Sequence, residues 1–224
     1  TFTWRQWGEQ DFDAALCQAL HEDKTGRVLV VGHSIGGFLP GYSPAVGRIS
    51  AMLSVGGQYG YWGDYLPARR LPLFLKWHVA MPAITLALGH FPGKRLGWLE
   101  DTPAGVVRDW STPAAHYERR PSGRRMLAKN AKLPFANVRA QTLAISISDD
   151  PYGTVPAIER LLGYFSGSSN THLRIAPQDI GEQQVGHFGF FRSPYQATLW
   201  PIALTWLQTG ALAPDTPGRQ VPRS

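Results

Sequence analysis

Apolar residues recur at two spacings along this chain, and each spacing predicts a different kind of element. Near the start, apolar positions at helical spacing with acidic residues between them predict an amphipathic helix over 3–21, carried by Trp4, Trp7, Phe12, Leu16 and Leu20. Further helices are predicted over 156–165, over 193–207 and from about Gly36, where Pro40, Gly41 and Pro44 soon interrupt the helix. Short continuous apolar runs predict buried strands over 27–32, 49–55, 141–148 and 172–175. Because strands alternate with helices, we expect an α/β protein with a parallel sheet covered on both faces.

The region between the second and third predicted strands has a different composition. It is dense in aromatic residues, prolines and paired arginines, the pairs lying at 69–70, 119–120 and 124–125. We interpret it as a mostly helical cap inserted into the core. The chain then divides into a first core part at 1–57, the cap at 58–133, a second core part at 134–208 and a flexible tail at 209–224.

Composition restricts the class of protein. With 224 residues, 43% hydrophobic and 17% charged, the chain is long and apolar enough for one globular domain. Its single cysteine, Cys17, excludes a disulfide framework and a cysteine metal site, and we expect that side chain to be buried. We predict neither a metal nor a cofactor. The most apolar stretch, 71–88, contains Lys76, His78 and two prolines, so no membrane span is predicted, and the default location is cytoplasmic.

The net charge of +6 is unevenly distributed. Residues 67–140 contain 13 lysines and arginines against 4 acidic residues, whereas the remainder of the chain has a small acidic excess. The positive charge therefore belongs to the predicted cap and the segment that follows it.

One motif carries the chemistry of a nucleophile. The first predicted strand ends in Gly32-His33-Ser34-Ile35-Gly36, followed by a glycine-rich apolar segment. A strand followed by Gly-x-Ser-x-Gly and a helix is a nucleophile elbow, a strained turn that lifts the serine hydroxyl clear of the sheet. We expect both flanking glycines to be required because a Cβ there would meet the neighbouring strand and helix. The motif predicts Ser34 as nucleophile and the Ile35 N–H as an oxyanion-hole donor.

A serine nucleophile needs a base and an acid that orients the base. In enzymes with this elbow, the acid precedes the histidine along the chain. Asp149 and Asp150 lie where the strand over 141–148 ends. We choose Asp150 over Asp149 because the acid usually comes directly before the turn of its loop, and Pro151-Tyr152-Gly153 supplies that turn. The other aspartate is expected to be solvated or to cap backbone groups.

His187 satisfies the same order among the seven histidines. It lies in a glycine-flanked loop between the last predicted strand and the last helix, and that loop returns to the edge of the sheet where the serine stands. We expect His33 to point away from Ser34 and to line the pocket or pack. His172 is expected to be a partly exposed residue at a strand edge. The others precede the acid in the chain and do not fit the order: His21, His78, His90 and His116.

Together these motifs resemble the α/β-hydrolase superfamily of serine hydrolases over most of the chain, to about residue 208. The GHSIGG elbow, the Trp- and Arg-rich cap, the DDPYGT loop at 149–154 and the GHFGFFR loop at 186–192 are similar to those of a group of bacterial predicted hydrolases. The resemblance implies acyl transfer to water through an acyl-serine. In that reaction Ser34 attacks, His187 carries the proton and Asp150 fixes the imidazole tautomer.

The chain departs from that superfamily before the elbow. Several strands normally precede the nucleophile strand, with a loop that supplies the second oxyanion-hole donor, whereas one predicted helix precedes it here. The chain also begins at Thr1 without an initiator methionine. We therefore expect a fragment of a longer protein, or a chain that needs a partner to complete its sheet, with the apolar edge of the nucleophile strand left bare.

The composition of the predicted cap bears on the substrate. An aromatic cap favours an apolar acyl group, and its positive charge favours an anionic leaving portion, although paired arginines also commonly solvate an outer face. The leading hypothesis is an esterase or thioesterase acting on a small-molecule acyl ester or thioester. Acyltransferases and cofactor-free haloperoxidases use the same triad, and a non-catalytic binding module on this fold is a further alternative. Nucleic acid is not a predicted partner, and the sequence does not specify an oligomeric state.

Overall fold

A twisted sheet forms the centre of the computed structural model, which describes residues 2–121, 123–124 and 134–222. Its strands are β1 (Val28–His33), β2 (Ile49–Val55), β5 (Gln141–Ile147), β6 (Asn170–Ile175) and β7 (Arg219–Gln220), in the spatial order β1-β2-β5-β6-β7. The first four run parallel, and β7 is antiparallel to β6. Strands β3 (His90–Phe91) and β4 (Thr102–Pro103) form a separate antiparallel pair.

Helices cover both faces of this sheet, as the alternating pattern predicts. Successive residues of β2 point to opposite faces, so Met52 joins one apolar core and Leu53 the other. The first face packs against Val155–Tyr164 and an N-terminal helix built from the consecutive segments Trp4–Gln6, Trp7–Phe12 and Asp13–Glu22. The second face packs against Trp200–Thr209. The predicted α/β class is confirmed.

The segment after the elbow differs from its prediction. Instead of a helix from about Gly36, two 3-10 turns follow, Ser34–Gly37 and Leu39–Tyr42. The interruption expected at Pro40 therefore leaves no α-helix before it, since Pro40 has no N–H to give to a helical hydrogen bond. Likewise, the predicted helix over 193–207 divides into the 3-10 turn Ser193–Tyr195 and the helix Trp200–Thr209.

The tail is also more ordered than its composition indicates. Residues from 209 onward are predicted to be flexible, yet β7 pairs with Leu173 and Arg174 of β6. The Val221 N–H continues this pairing by donating to the carbonyl oxygen of His172. The prediction of a flexible tail is therefore wrong at these residues, because the backbone groups on this side of β6 find their partners in the tail.

Most of the residues between β2 and β5 that the structure describes are helical or lie in short turns. A helix of 22 residues, Pro67–Leu88, is followed by Gly93–Leu96 and Ala104–Ser111. These elements share a small core of their own, formed by Tyr65, Leu73, Trp77, Met81, Phe91 and Val107. This agrees with a mostly helical insertion, although residues 125–133, with Arg125 among them, lie outside the described residues.

Among the described residues, Pro67–Leu88 is the one helix that is long and apolar enough to cross a membrane, by length and composition alone. One of its faces is packed against the protein, where Leu73, Trp77, Met81 and Thr85 are buried. The helix therefore lies along the surface of the cap.

Arg120 connects the cap to the core from a fully buried position. Its side chain is 1% exposed and donates hydrogen bonds to the Tyr59 hydroxyl and to the carbonyl oxygens of Asp109 and Gly60. The guanidinium also lies over the rings of Trp4 and Tyr59. This arginine of the 119–120 pair neither solvates the outer face nor is free to bind an anion.

We predict that Arg120→Ala lowers the free energy of unfolding by about 3 kcal/mol, because three acceptors, two of them in buried hydrogen bonds, lose a charged donor. Urea unfolding followed by tryptophan fluorescence measures this change. Arg119→Ala is the matched control, since the neighbouring arginine is exposed, and its effect should stay within about 0.5 kcal/mol. Equal effects of the two substitutions would contradict a structural role for Arg120.

Candidate active site

The turn after β1 holds Ser34 in a conformation that side chains other than glycine rarely adopt. Its φ is 52°, the one positive value among the described non-glycine residues. A Cβ on Gly32 would overlap the Gly36 carbonyl, so glycine is required there as expected. Gly36 itself faces open space, and that part of the expectation is wrong. The close approach belongs to the next residue, Gly37, whose Cβ would overlap the Ser54 hydroxyl of β2.

Three predicted side chains meet at the carboxyl edge of the sheet. His187 Nε2 lies 2.9 Å from Ser34 Oγ, and His187 Nδ1 lies 2.7 Å from Asp150 Oδ2. Because a carboxylate only accepts, the imidazole donates from Nδ1 to Asp150 and presents Nε2 to the serine hydroxyl as an acceptor. The arrangement is a continuous hydroxyl–imidazole–carboxylate chain.

Asp150 is held as a buried carboxylate. Only 2% of the residue is exposed, and Oδ1 accepts the Tyr152 N–H at 2.8 Å. Burial raises the pKa of Asp150, but the hydrogen bond and charge of His187 and the N–H groups of Gly153 and Tyr152 lower it more, so the pKa lies below its ordinary value. The ionised form that can accept from His187 is therefore favoured.

Asp149 has a different position and different partners. It is exposed, and its two carboxylate oxygens accept the backbone N–H groups of Val185 and Gly186, each at 2.9 Å. These residues directly precede His187, so Asp149 ties the end of β5 to the histidine loop. It caps backbone groups, which is the role expected for the aspartate that is not the acid.

His33 lies beside Ser34, His187 and Asp150 but takes no part in the hydrogen bonds that join their side chains. Its Nε2 donates to the His187 carbonyl oxygen at 2.7 Å, and the two imidazole rings are 4.8 Å apart. Burial lowers the pKa of His33. The side chain therefore packs against the histidine loop.

An apolar pocket opens beside Ser34. Its lining combines the elbow, the segment after β2, the N-terminal helix and the cap: Trp4, Ser34, Ile35, Phe38, Gln58, Tyr59, Gly60, Tyr65 and Trp110. Gln58 was not singled out from the sequence, and its Oε1 is buried without a hydrogen-bond partner among the described residues. The sequence signal that could have identified Gln58 is its position just after Gly56-Gly57, at the end of β2. Parallel strands end at one edge of the sheet, where ligands commonly bind.

A second hydroxyl–imidazole–carboxylate series runs from the buried Ser146 and His172 to the partly exposed Glu159. Ser146 Oγ is 2.7 Å from His172 Nε2, and His172 Nδ1 is 2.6 Å from Glu159 Oε1. Ser146 and His172 are both buried between β5, β6 and the helix Val155–Tyr164. A substrate has no access to the buried Ser146 hydroxyl, so this hydrogen-bonded series of side chains is structural. The expectation that His172 is a partly exposed edge residue is wrong, because the tail covers β6.

Metal-binding groups are not assembled in the described part of the chain, where no three His, Cys, Asp or Glu side chains are placed to hold an ion. Cys17, expected to be buried, is exposed, with its Sγ 3.7 Å from Asp13 Oδ2.

Comparisons with known proteins relate this arrangement to one family. The sequence model of the alpha/beta hydrolase family matches residues 1–199. No curated protein matches the chain in sequence. Among solved structures, the metagenome-derived lipolytic enzymes LipS and LipT give a match with a TM-score of 0.53 and 16% identity that covers 92% of this chain and 74% of that one. The proposed non-heme bromoperoxidase BpoC of Mycobacterium tuberculosis H37Rv gives 0.51 and 18%, over 95% of this chain and 76% of that one. At these identities the likeness shows the fold.

The buried histidines predict how stability depends on pH. Burial lowers the pKa of His33, His78 and His172 below the ordinary value of 6.5. Below that value the unfolded chain binds protons that the folded chain does not, so this contribution to stability is complete above pH 6.5 and is lost as pH falls through the folded-state pKa values. Urea unfolding at pH 7.5 and 5.5 should give a lower free energy at the acid pH. A higher one there would contradict the prediction.

Proposed function

This chain belongs to the alpha/beta hydrolase family, and on that premise we propose that it is a serine hydrolase that cleaves an ester or thioester through an acyl-serine intermediate. The observation that carries the proposal is the pair of hydrogen bonds that join Ser34 to His187 and His187 to Asp150. The fold that this chain shares with LipS and LipT does not by itself select this reaction.

The proposed first step is attack of Ser34 Oγ on the acyl carbon. As the new C–O bond forms, His187 Nε2 takes the hydroxyl proton, and the resulting imidazolium is stabilised by the Asp150 carboxylate. The imidazolium then gives this proton to the leaving alkoxide or thiolate as the C–O or C–S bond breaks. Water attacks the acyl-serine with the same histidine as base, which releases the carboxylic acid and restores Ser34.

The developing oxyanion is assigned to the Ile35 N–H, in the turn directly after the nucleophile. Gln58 adds the one side-chain amide of the pocket lining. A buried amide oxygen without a partner is a place where a bound substrate with an N–H or O–H group gains a hydrogen bond.

The acyl group is proposed to be apolar, because aromatic side chains dominate the pocket beside Ser34. An anionic leaving portion is supported only by exposed cations of the cap. Arg120 is excluded as a ligand of this anionic group, since its guanidinium already donates hydrogen bonds to groups of the protein. Among these exposed cations we select Arg69, because its positive charge opposes the rise that burial causes in the pKa of Tyr152, and the Tyr152 ring is 5.1 Å from that of His187.

We predict that a fluorophosphonate probe labels Ser34 and that Ser34→Ala abolishes both labelling and ester hydrolysis. Peptide mass spectrometry identifies the labelled residue, and p-nitrophenyl ester hydrolysis measures turnover. Ser148→Ala is the matched control, an exposed serine near the same edge that should leave both signals unchanged. Absence of labelling in the folded protein would overturn the proposal in favour of a non-catalytic binding module.

The two adjacent aspartates give a second prediction. Asp150→Asn should lower kcat by about 10⁴-fold, because an amide at this place favours the wrong imidazole tautomer. Asp149→Asn should have a much smaller effect, since an amide oxygen still accepts one of the two N–H groups of the histidine loop. Steady-state kinetics with one ester compare the two variants. A greater loss in Asp149→Asn would assign the acid to Asp149.

A further inference from the structure

The helix Pro67–Leu88 exposes a continuous apolar face that nothing in the described part of the chain covers. Exposed apolar residues follow one another at spacings of three and four positions along it, namely Ala68, Leu71, Leu75, Val79, Ala83 and Leu86. Leu71 is 66% exposed and Leu86 is 89% exposed. Soluble proteins rarely expose large apolar side chains in such a row, so this face is expected to bind a partner.

The charges of the same helix restrict which partner fits. Arg69, Arg70 and Lys76 are its charged residues at neutral pH, and the 22-residue segment contains no aspartate or glutamate. Arg69 and Arg70 are exposed. An apolar face bordered only by cations is complementary to a surface that is apolar inside and anionic outside. A second copy of this chain would instead bring the same cations face to face.

The opposite face of the helix fixes its orientation. Because Leu73, Trp77, Met81 and Thr85 are buried in the protein, the helix cannot insert across a bilayer without leaving the cap, and only its outer half is free to enter the boundary between headgroups and acyl chains. We propose that Pro67–Leu88 is an interfacial helix that docks this protein on an anionic phospholipid membrane.

The proposed membrane-binding helix begins close to the candidate active site along the chain. Tyr65, which lines the pocket at Ser34, lies two residues before the helix begins. Tyr65 is also 6.2 Å, ring to ring, from Tyr152, and Tyr152 is 5.1 Å from His187. The proposal itself does not depend on the hydrolase reaction, since it concerns binding alone.

Vesicle sedimentation with the whole chain tests the proposal. We expect the protein to sediment with vesicles of phosphatidylcholine and phosphatidylglycerol, to bind vesicles of phosphatidylcholine alone much more weakly, and to be released by added salt. The double substitution Leu71→Asp and Leu86→Asp should weaken binding to the anionic vesicles by about tenfold or more, since it removes two apolar side chains and adds two negative charges.

Leu204→Asp is the matched control, because Leu204 is 56% exposed on the helix Trp200–Thr209, which packs against the second face of the sheet. It should bind vesicles as the unsubstituted protein does. Circular dichroism and the urea midpoint establish that each variant is folded. Failure of the unsubstituted protein to bind anionic vesicles overturns the proposal, as does equal weakening by both variants. A dimer that sedimentation velocity detects and that the double substitution dissociates would assign the face to a second copy instead.

Discussion

The close approach of the backbone after β1 to the end of β2 is the constraint on which the site depends. Ser34 keeps a φ of 52°, a conformation that costs about 1–3 kcal/mol. It is retained because the turn is pressed against β2, where a Cβ on Gly37 or on Gly57 would overlap Ser54 Oγ. Packing of the two strands therefore supplies the free energy that holds the hydroxyl above the sheet, in reach of the histidine.

Parallel pairing brings the remaining groups to that hydroxyl. Ser34 and His187 are 153 positions apart in the chain, and Asp150 and His187 are 37 apart, yet each pair shares a hydrogen bond. Each of these residues comes after the carboxyl end of a strand, and parallel strands end at a common edge. For this reason the order of elements along the sequence points to Asp150 and His187, which the structure joins to Ser34 by hydrogen bonds. The loop position likewise separates Asp150, which contacts the His187 side chain, from Asp149, which contacts the backbone before it.

Features that depend on distant neighbours were not predictable from local pattern. Arg120 has the sequence context of a solvated pair, and only the fold reveals the three acceptors around it. Gln58 has no motif, and its buried oxygen becomes evident only with the pocket. The sequence predicts an edge position for His172 because the pairing of β7 with β6 is carried by two residues in a proline-containing segment. A strand of this length is too short for periodicity to detect.

The pairing of β7 has a consequence for how copies of this chain can associate. Each end of a sheet that lacks a neighbour is a template for another strand, and growth into a fibre requires two such templates per molecule. Within the described residues, β7 occupies the β6 side, whereas β1 lies at the other end with Leu29 and Val31 partly exposed. On the β6 side of the sheet, a strand from another molecule would therefore meet the two residues of β7 instead of the longer edge of β6. The short tail strand thus shortens the template that this side of the sheet offers to another chain.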